Sequence, residues 1–222
     1  MNSAIIFDVD GVLLELTPDE EELFFEPFAS RINAAKLSRD WNSYKIRNDQ
    51  EIVREIVEHH NLPAHEAARI TREYLTLLKQ ALRSGVRSKP IAGAARLLKS
   101  FSGTAKLGVA TANFRRAAQL RLQQVDMWQP VQHHAFGAEG GGHKSEILAR
   151  AIATLGLPPQ RIIFIGDNVS DLIAGRENRT HFIGFSTSPS RLSQLREAGA
   201  VNLCGAHAET ENMVRELLNA AN

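Results

Sequence analysis

The chain has 222 residues, 43% of them hydrophobic and 23% charged, which suits a globular protein and excludes a disordered or fibrous one. Lysine and arginine total 26 against 25 aspartates and glutamates, a formal balance of +1. No strong field points to nucleic acid or an anionic membrane, and no apolar run approaches the ~18 residues a membrane span needs.

Cys204 is the only cysteine, so no disulfide forms within the chain and a reducing compartment fits. Met1-Asn2-Ser3 leads straight into an apolar run, without the basic stretch and longer apolar region of a secretory signal. A soluble, cytoplasmic protein with no nucleic-acid or membrane partner is the expectation.

Ala4-Ile5-Ile6-Phe7 is a continuous apolar run ending at Asp8. Runs of this kind suit strands buried on both faces of a parallel sheet. From about Thr17 to Lys89 the pattern changes to helical spacing. Ile52, Ile56 and Val57 follow it, as do Ile70, Tyr74, Leu77, Leu78 and Leu82. Glu20-Glu21-Glu22 reads as the charged start of a helix, where acids suit the dipole. Pro63 and Gly85 punctuate the segment, and Pro90 is expected to open a helix through Leu97-Leu98.

Further along, Leu107-Gly108-Val109-Ala110 forms a second buried run ending at Thr111, before a helix through Arg115–Gln123. Gly140-Gly141-Gly142 reads as a mobile loop, and Lys144 precedes a helix beginning near Ser145. Ile162-Ile163-Phe164-Ile165 ends at Gly166-Asp167, and Phe182-Ile183-Gly184-Phe185 ends at Ser186. Alternating strands and helices predict an α/β fold with right-handed crossovers. The expected organisation is a Rossmann-like, doubly wound parallel sheet core from residues 1–16 and 89–222, with an inserted α-helical cap at 17–88.

The polar residues cluster at one kind of position, the carboxyl end of a predicted strand or the loop beyond it. Ligands bind there in open α/β sheets. Asp8, Asp10 and Asp167 have no basic neighbour in sequence, so together they repel unless a cation sits among them. Carboxylates with a backbone carbonyl suit Mg²⁺. Lys144 offers a charge for a phosphate oxygen and Thr111 a hydroxyl. The amides after Thr111, starting with Ala112, approach a helix start, where unpaired N–H groups favour an anion. The set suits phosphoryl transfer. In Asp8-Val9-Asp10 the two acids face the same side of an extended segment. If Asp8 attacks phosphorus, Asp10 can protonate the leaving oxygen and later deprotonate water. Gly11 permits the tight turn this needs.

Asp8-Val9-Asp10-Gly11-Val12, Thr111, Lys144 and Gly166-Asp167-Asn168-Val169-Ser170-Asp171 resemble the four ordered motifs of the haloacid dehalogenase-like hydrolases. The resemblance extends over the whole chain. It implies Asp8 as nucleophile and metal ligand. It implies Asp10 as acid/base, with its backbone carbonyl on the metal. Thr111 and Lys144 would bind phosphate, Asp167 would ligate Mg²⁺, and Asp171 would support the site. The insertion is similar to the helical cap of the phosphoglycolate phosphatase and β-phosphoglucomutase type. Asp10 speaks against a true dehalogenase. Ala112, where members of this subgroup often carry Asn, and Ser145, where they often carry Pro, depart from the pattern.

The expected activity is Mg²⁺-dependent hydrolysis of a small phosphorylated metabolite, such as phosphoglycolate or a sugar phosphate, by a monomer or homodimer. A phosphosugar mutase and a non-catalytic phospholigand-binding protein are the alternatives. Phosphonate cleavage through Lys36, Lys45 or Lys79 is weaker. Arg31, Lys45 and Arg47 are candidates for contacting a charged leaving group, with a solvated face as the simpler reading. His133, His134 and His143 lack a matching ligand set and read as surface residues; Cys204 reads as a small buried residue.

Overall fold

The computed structural model describes residues 1–220. Among the described residues eight strands occur in chain order: β1 (Ala4–Phe7), β2 (Leu14–Glu15), β3 (Lys89–Pro90), β4 (Lys106–Ala110), β5 (Ala135–Phe136), β6 (Ile162–Gly166), β7 (His181–Phe185) and β8 (Leu203–Cys204). Six of them form one parallel sheet in the order β5-β4-β1-β6-β7-β8. Ile5 pairs with Leu107 on one side and with Ile163 on the other. β1 therefore sits at the centre, and the residues after it emerge where the strand order switches direction.

Alternation along β1 divides the core in two. Ile5 and Phe7 pack on one face with α4 (Ala94–Phe101), α5 (Arg115–Gln124) and α9 (His207–Ala220). Ala4 and Ile6 pack on the other with α6 (Lys144–Ala153), α7 (Val169–Glu177) and α8 (Pro189–Glu197). Strands covered on both faces must be apolar throughout, which is why they read as unbroken runs. The result is the expected Rossmann-like α/β arrangement.

Between β2 and β3 the chain is helical: α1 (Pro18–Phe25), α2 (Asp49–His59) and α3 (His65–Ser84), with short 3-10 turns between α1 and α2. Ile52 and Ile56 on α2, and Ile70, Tyr74 and Leu78 on α3, turn one stripe inward at helical spacing. They close a separate apolar core with Phe24 and Phe28, and Phe114 and Ala117 on the sheet side extend it. β2 and β3 mark the two crossings. They pair antiparallel, Leu14 opposite Pro90 and Glu15 opposite Lys89.

Three local expectations change. Pro90 does not open a helix: it lies in β3, and α4 begins at Ala94. A two-residue edge pairing tolerates a missing donor. Lys144 is itself the first residue of α6. The Gly140–Gly142 segment is tied to α2 and its N-cap: Gly142 N–H donates to Glu51 Oε1 at 3.3 Å, and Gly142 O accepts from Asn48 Nδ2 at 2.6 Å. No helix among the described residues is long and apolar enough to cross a membrane.

Candidate active site

Asp8 leaves the end of β1. Its N–H donates to Ile165 O at 2.9 Å, and its Oδ1 accepts from Val9 N–H at 2.8 Å. From the opposite side, Lys144 at the start of α6 reaches Asp8 Oδ1 at 2.9 Å and Asp171 Oδ1 at 2.8 Å. Asp171 also shapes the loop before α7. Its Oδ2 accepts from the N–H groups of Asp167 and Asn168, each at 3.1 Å. A carboxylate three residues into a helix suits this role, because helix-start amides otherwise lack partners.

Asp8, Asp167 and Asp171 bring oxygens within 4.8 Å of one another. Two glycines allow the packing. Gly11 has φ 79°, and a Cβ there would fall 2.2 Å from Asp167 Oδ2. A Cβ on Gly166 would fall 2.3 Å from the Asp171 Cβ.

The electrostatics follow from this crowding. Burial pushes the Asp8 carboxyl up, against the pull of Lys144, and Asp171 and Asp167 add to the rise. Asp167 is pushed up to about 6, first by burial and then by Asp171, with Arg191 and Lys144 opposing. Burial would lower the Lys144 ammonium, but Asp171 and Asp8 outweigh it and hold the group charged. Three buried carboxylates thus face one ammonium and the half-exposed guanidinium of Arg191, whose Nη1 is 2.5 Å from Asp167 Oδ2. This set of hard oxygens with excess negative charge fits a divalent cation such as Mg²⁺. Asp171 is engaged by Lys144 and the loop amides, so Asp8 and Asp167 are the carboxylates best placed to hold it.

Asp10 is turned away from that cluster. Its Oδ1 lies 2.7 Å from Arg121 Nη1. Thr111 is buried, and its Oγ1 accepts from Asn113 N–H at 3.2 Å. It does not cap the following helix; Phe114 holds the N-cap position. The expectation of open amides at that helix start also changes. Phe114 N–H donates to Asp49 Oδ2 at 2.7 Å, and Arg115 N–H to Glu139 Oε1 at 2.9 Å. Acids distant in sequence have filled the anion site that the helix start presents.

A cavity of about 890 Å³ joins these groups. Asp8, Asp10, Thr111, Ala112, Lys144 and Asp167 line its sheet side. Phe24, Trp41, Ile46, Tyr74 and Arg47 line its helical side. Of the charged candidates in the insertion, Arg47 alone reaches it. Arg31 is bound to Glu66 and Glu73 instead, and Lys36, Lys45 and Lys79 lie outside the lining. His133 and His143 are exposed, and Cys204 is buried.

Arg121, Glu20, Asp49 and Arg191 were not expected in the site. Arg121 left a signal: it lies four residues after buried Ala117 and three after buried Ala118, so an arginine stands on the apolar stripe of its helix. Glu20 is buried, unlike an ordinary charged helix start. Arg191 gave no local signal, since its partner is 24 residues away.

A match to the family described as haloacid dehalogenase-like hydrolase spans residues 3–178. The chain belongs to the haloacid dehalogenase-like hydrolases. This hydrolase is 27% identical over 226 residues to a phosphorylated carbohydrates phosphatase of Thermotoga maritima, covering 97% of this chain and 99% of that one. Its fold resembles CbbY from Rhodobacter sphaeroides, solved with phosphate, at TM-score 0.74 and 20% identity over 94% of this chain and 96% of that one. It also resembles a putative β-phosphoglucomutase from Bacteroides vulgatus, at TM-score 0.71 and 18% identity over 99% and 89% of the two chains.

Proposed function

We propose that this hydrolase is a phosphatase acting on a small phosphorylated carbohydrate, with Asp8 as nucleophile. The observation that carries the reading is Lys144 bridging Asp8 and Asp171 beside Asp167 at the sheet's switch point. The likeness to the Thermotoga maritima phosphatase supports the substrate class.

In the first step an Asp8 carboxylate oxygen attacks phosphorus, and the bond to the leaving oxygen breaks. Asp10, in its protonated form, gives its proton to that oxygen, so the alcohol departs neutral. In the second step Asp10, now a carboxylate, takes a proton from water as the water attacks the aspartyl phosphate. Phosphate leaves and Asp8 is restored. Lys144, the Thr111 hydroxyl and the Ala112 amide are the groups we assign to the phosphate oxygens. Asp8, the Asp10 carbonyl and Asp167 would hold Mg²⁺, which when bound neutralises charge between carboxylates and phosphate. Gly11, Gly166 and Asp171 keep the two loops close enough for this.

Residues 17–88 act in this reading as a cap over a core of residues 1–16 and 89–222. The cap presents an aromatic and aliphatic wall, with Arg47 as its cation. That wall suits the carbon skeleton of the leaving alcohol.

The test is release of inorganic phosphate from p-nitrophenyl phosphate and a panel of sugar phosphates, with Mg²⁺ and with EDTA, for wild type and Asp8→Asn. Metal-dependent release that is lost in Asp8→Asn is the expected result. An active Asp8→Asn protein would sink the mechanism, and isomerisation of a sugar phosphate without release would make the enzyme a mutase.

A further inference from the structure

Arg121 is an arginine on the buried stripe of α5, only 2% exposed. Its guanidinium is engaged by groups from four separate segments, with Nη1 donating to Asn113 Oδ1 at 3.4 Å in the loop before α5. Nη1 lies 2.7 Å from Asp10 Oδ1. Nε donates to Glu20 Oε1 at 2.9 Å and Nη2 to Glu20 Oε2 at 3.2 Å, a two-pronged pair with α1. Nη2 also donates to Glu15 O at 3.0 Å, in β2.

Glu20 extends the connection to the second crossing, because its Oε1 accepts from Ser88 Oγ at 2.8 Å. Glu15 and Ser88 stand at the two points where the chain passes between sheet and helical insertion. One guanidinium therefore touches Asp10 and, directly or through Glu20, both crossings. Arginine alone offers a rigid fork of this reach.

Asp10 Oδ1 is closed to solvent and has no aligned hydrogen bond among the described residues. A buried carboxylate oxygen in that state is costly unless a charge compensates it. The charge present is Arg121.

We propose that Arg121 is a positioning residue for Asp10: it fixes the direction of the Asp10 carboxylate in the cavity and registers it to the cap through Glu20. The inference rests on Asp10 acting as the acid/base of the reaction. With the fork in place, the acid is aligned for the leaving oxygen when Glu20 and Ser88 are docked. A bare structural weld between cap and core would use the same contacts but would not favour one kind of substrate over another.

The discriminating measurement is kcat/KM on two esters, p-nitrophenyl phosphate and a sugar phosphate that the wild type hydrolyses. A nitrophenolate leaves readily without a proton, whereas a sugar alkoxide needs one. Misaligning Asp10 must therefore harm the sugar ester selectively. We expect Arg121→Gln to lower kcat/KM on the sugar phosphate by ~100-fold or more and on p-nitrophenyl phosphate by less than ~10-fold. Arg121→Lys keeps a charge and the buried stem but loses the fork. It carries the test if Arg121→Gln does not fold, with the same selective loss expected. Equal losses on both esters in a folded variant overturn the inference and leave the phosphatase reading standing. A wild type that releases phosphate from no ester overturns that reading, and this inference with it.

Discussion

Asp49 Oδ2 accepts a 2.7 Å hydrogen bond from Phe114 N–H, joining the first residue of α2 to the N-cap of α5. The Asp49 N–H returns the contact, donating to Ala112 O at 2.9 Å. The helical insertion thus holds the loop after Thr111 through paired main-chain and side-chain bonds.

That contact has a pH signature. Burial pushes the Asp49 carboxyl up from 3.8 to about 8, against the Phe114 hydrogen bond. A raised folded value favours the protonated form. Its contribution to stability is full below about pH 4 and is lost as pH rises through about 8. Asn at this position keeps a carbonyl oxygen for Phe114 and cannot ionise. Wild type should lose stability relative to Asp49→Asn between about pH 5 and pH 8, by roughly 4 kcal/mol at most. Chemical denaturation across that range measures it. A constant difference would show that Asp49 is ionised in the folded protein throughout.

Lys144 stands between two buried carboxylates. Lys144→Met removes the ammonium and leaves Asp8 and Asp171 uncompensated. Loss of one partner from a buried ion pair typically costs about 3 kcal/mol. On the proposed assignment of Lys144 to the phosphate oxygens, phosphate release should fall by ~100-fold or more, since that fixed charge is lost. The variant should also gain more in melting temperature from added Mg²⁺ than wild type does, because a cation replaces the missing charge. A variant as stable as wild type without metal would mean that these carboxylates are already protonated.

Arg191 competes with any cation at Asp167. Its Nη1 is 2.5 Å from Asp167 Oδ2, yet its side chain is 43% exposed, so the pair is only weakly stabilising. Arg191→Gln should tighten Mg²⁺ binding by about threefold. Calorimetric titration of Mg²⁺ into wild type and variant reads this directly. Weaker binding in Arg191→Gln would show that the guanidinium assists the ion rather than displacing it.

Much of the core was legible because its signals are local. Four strands of the sheet are buried on both faces, so each had to be a short unbroken apolar run. A polar residue just beyond such a run lies at the carboxyl end of the sheet, and Asp8, Thr111 and Asp167 could be located that way. Asp171 was legible only through the resemblance of Gly166–Asp171 to a family motif; the structure adds that it caps its own helix from three residues within it. The helical insertion showed itself through the change from continuous runs to helical spacing.

Partnership across the chain was not legible. Arg121 meets Asp10 and Glu20 over sequence separations no periodicity records, and Asp49 reaches Phe114 in the same way. The start of α5 shows the difference most clearly. Its amides read as an open anion site from local sequence, but Asp49 and Glu139 fill it. Residue type and spacing determine which groups a strand end or a helix turn can present. Which of them remain available to a ligand depends on the charges folding brings against them, and only the tertiary structure decides that.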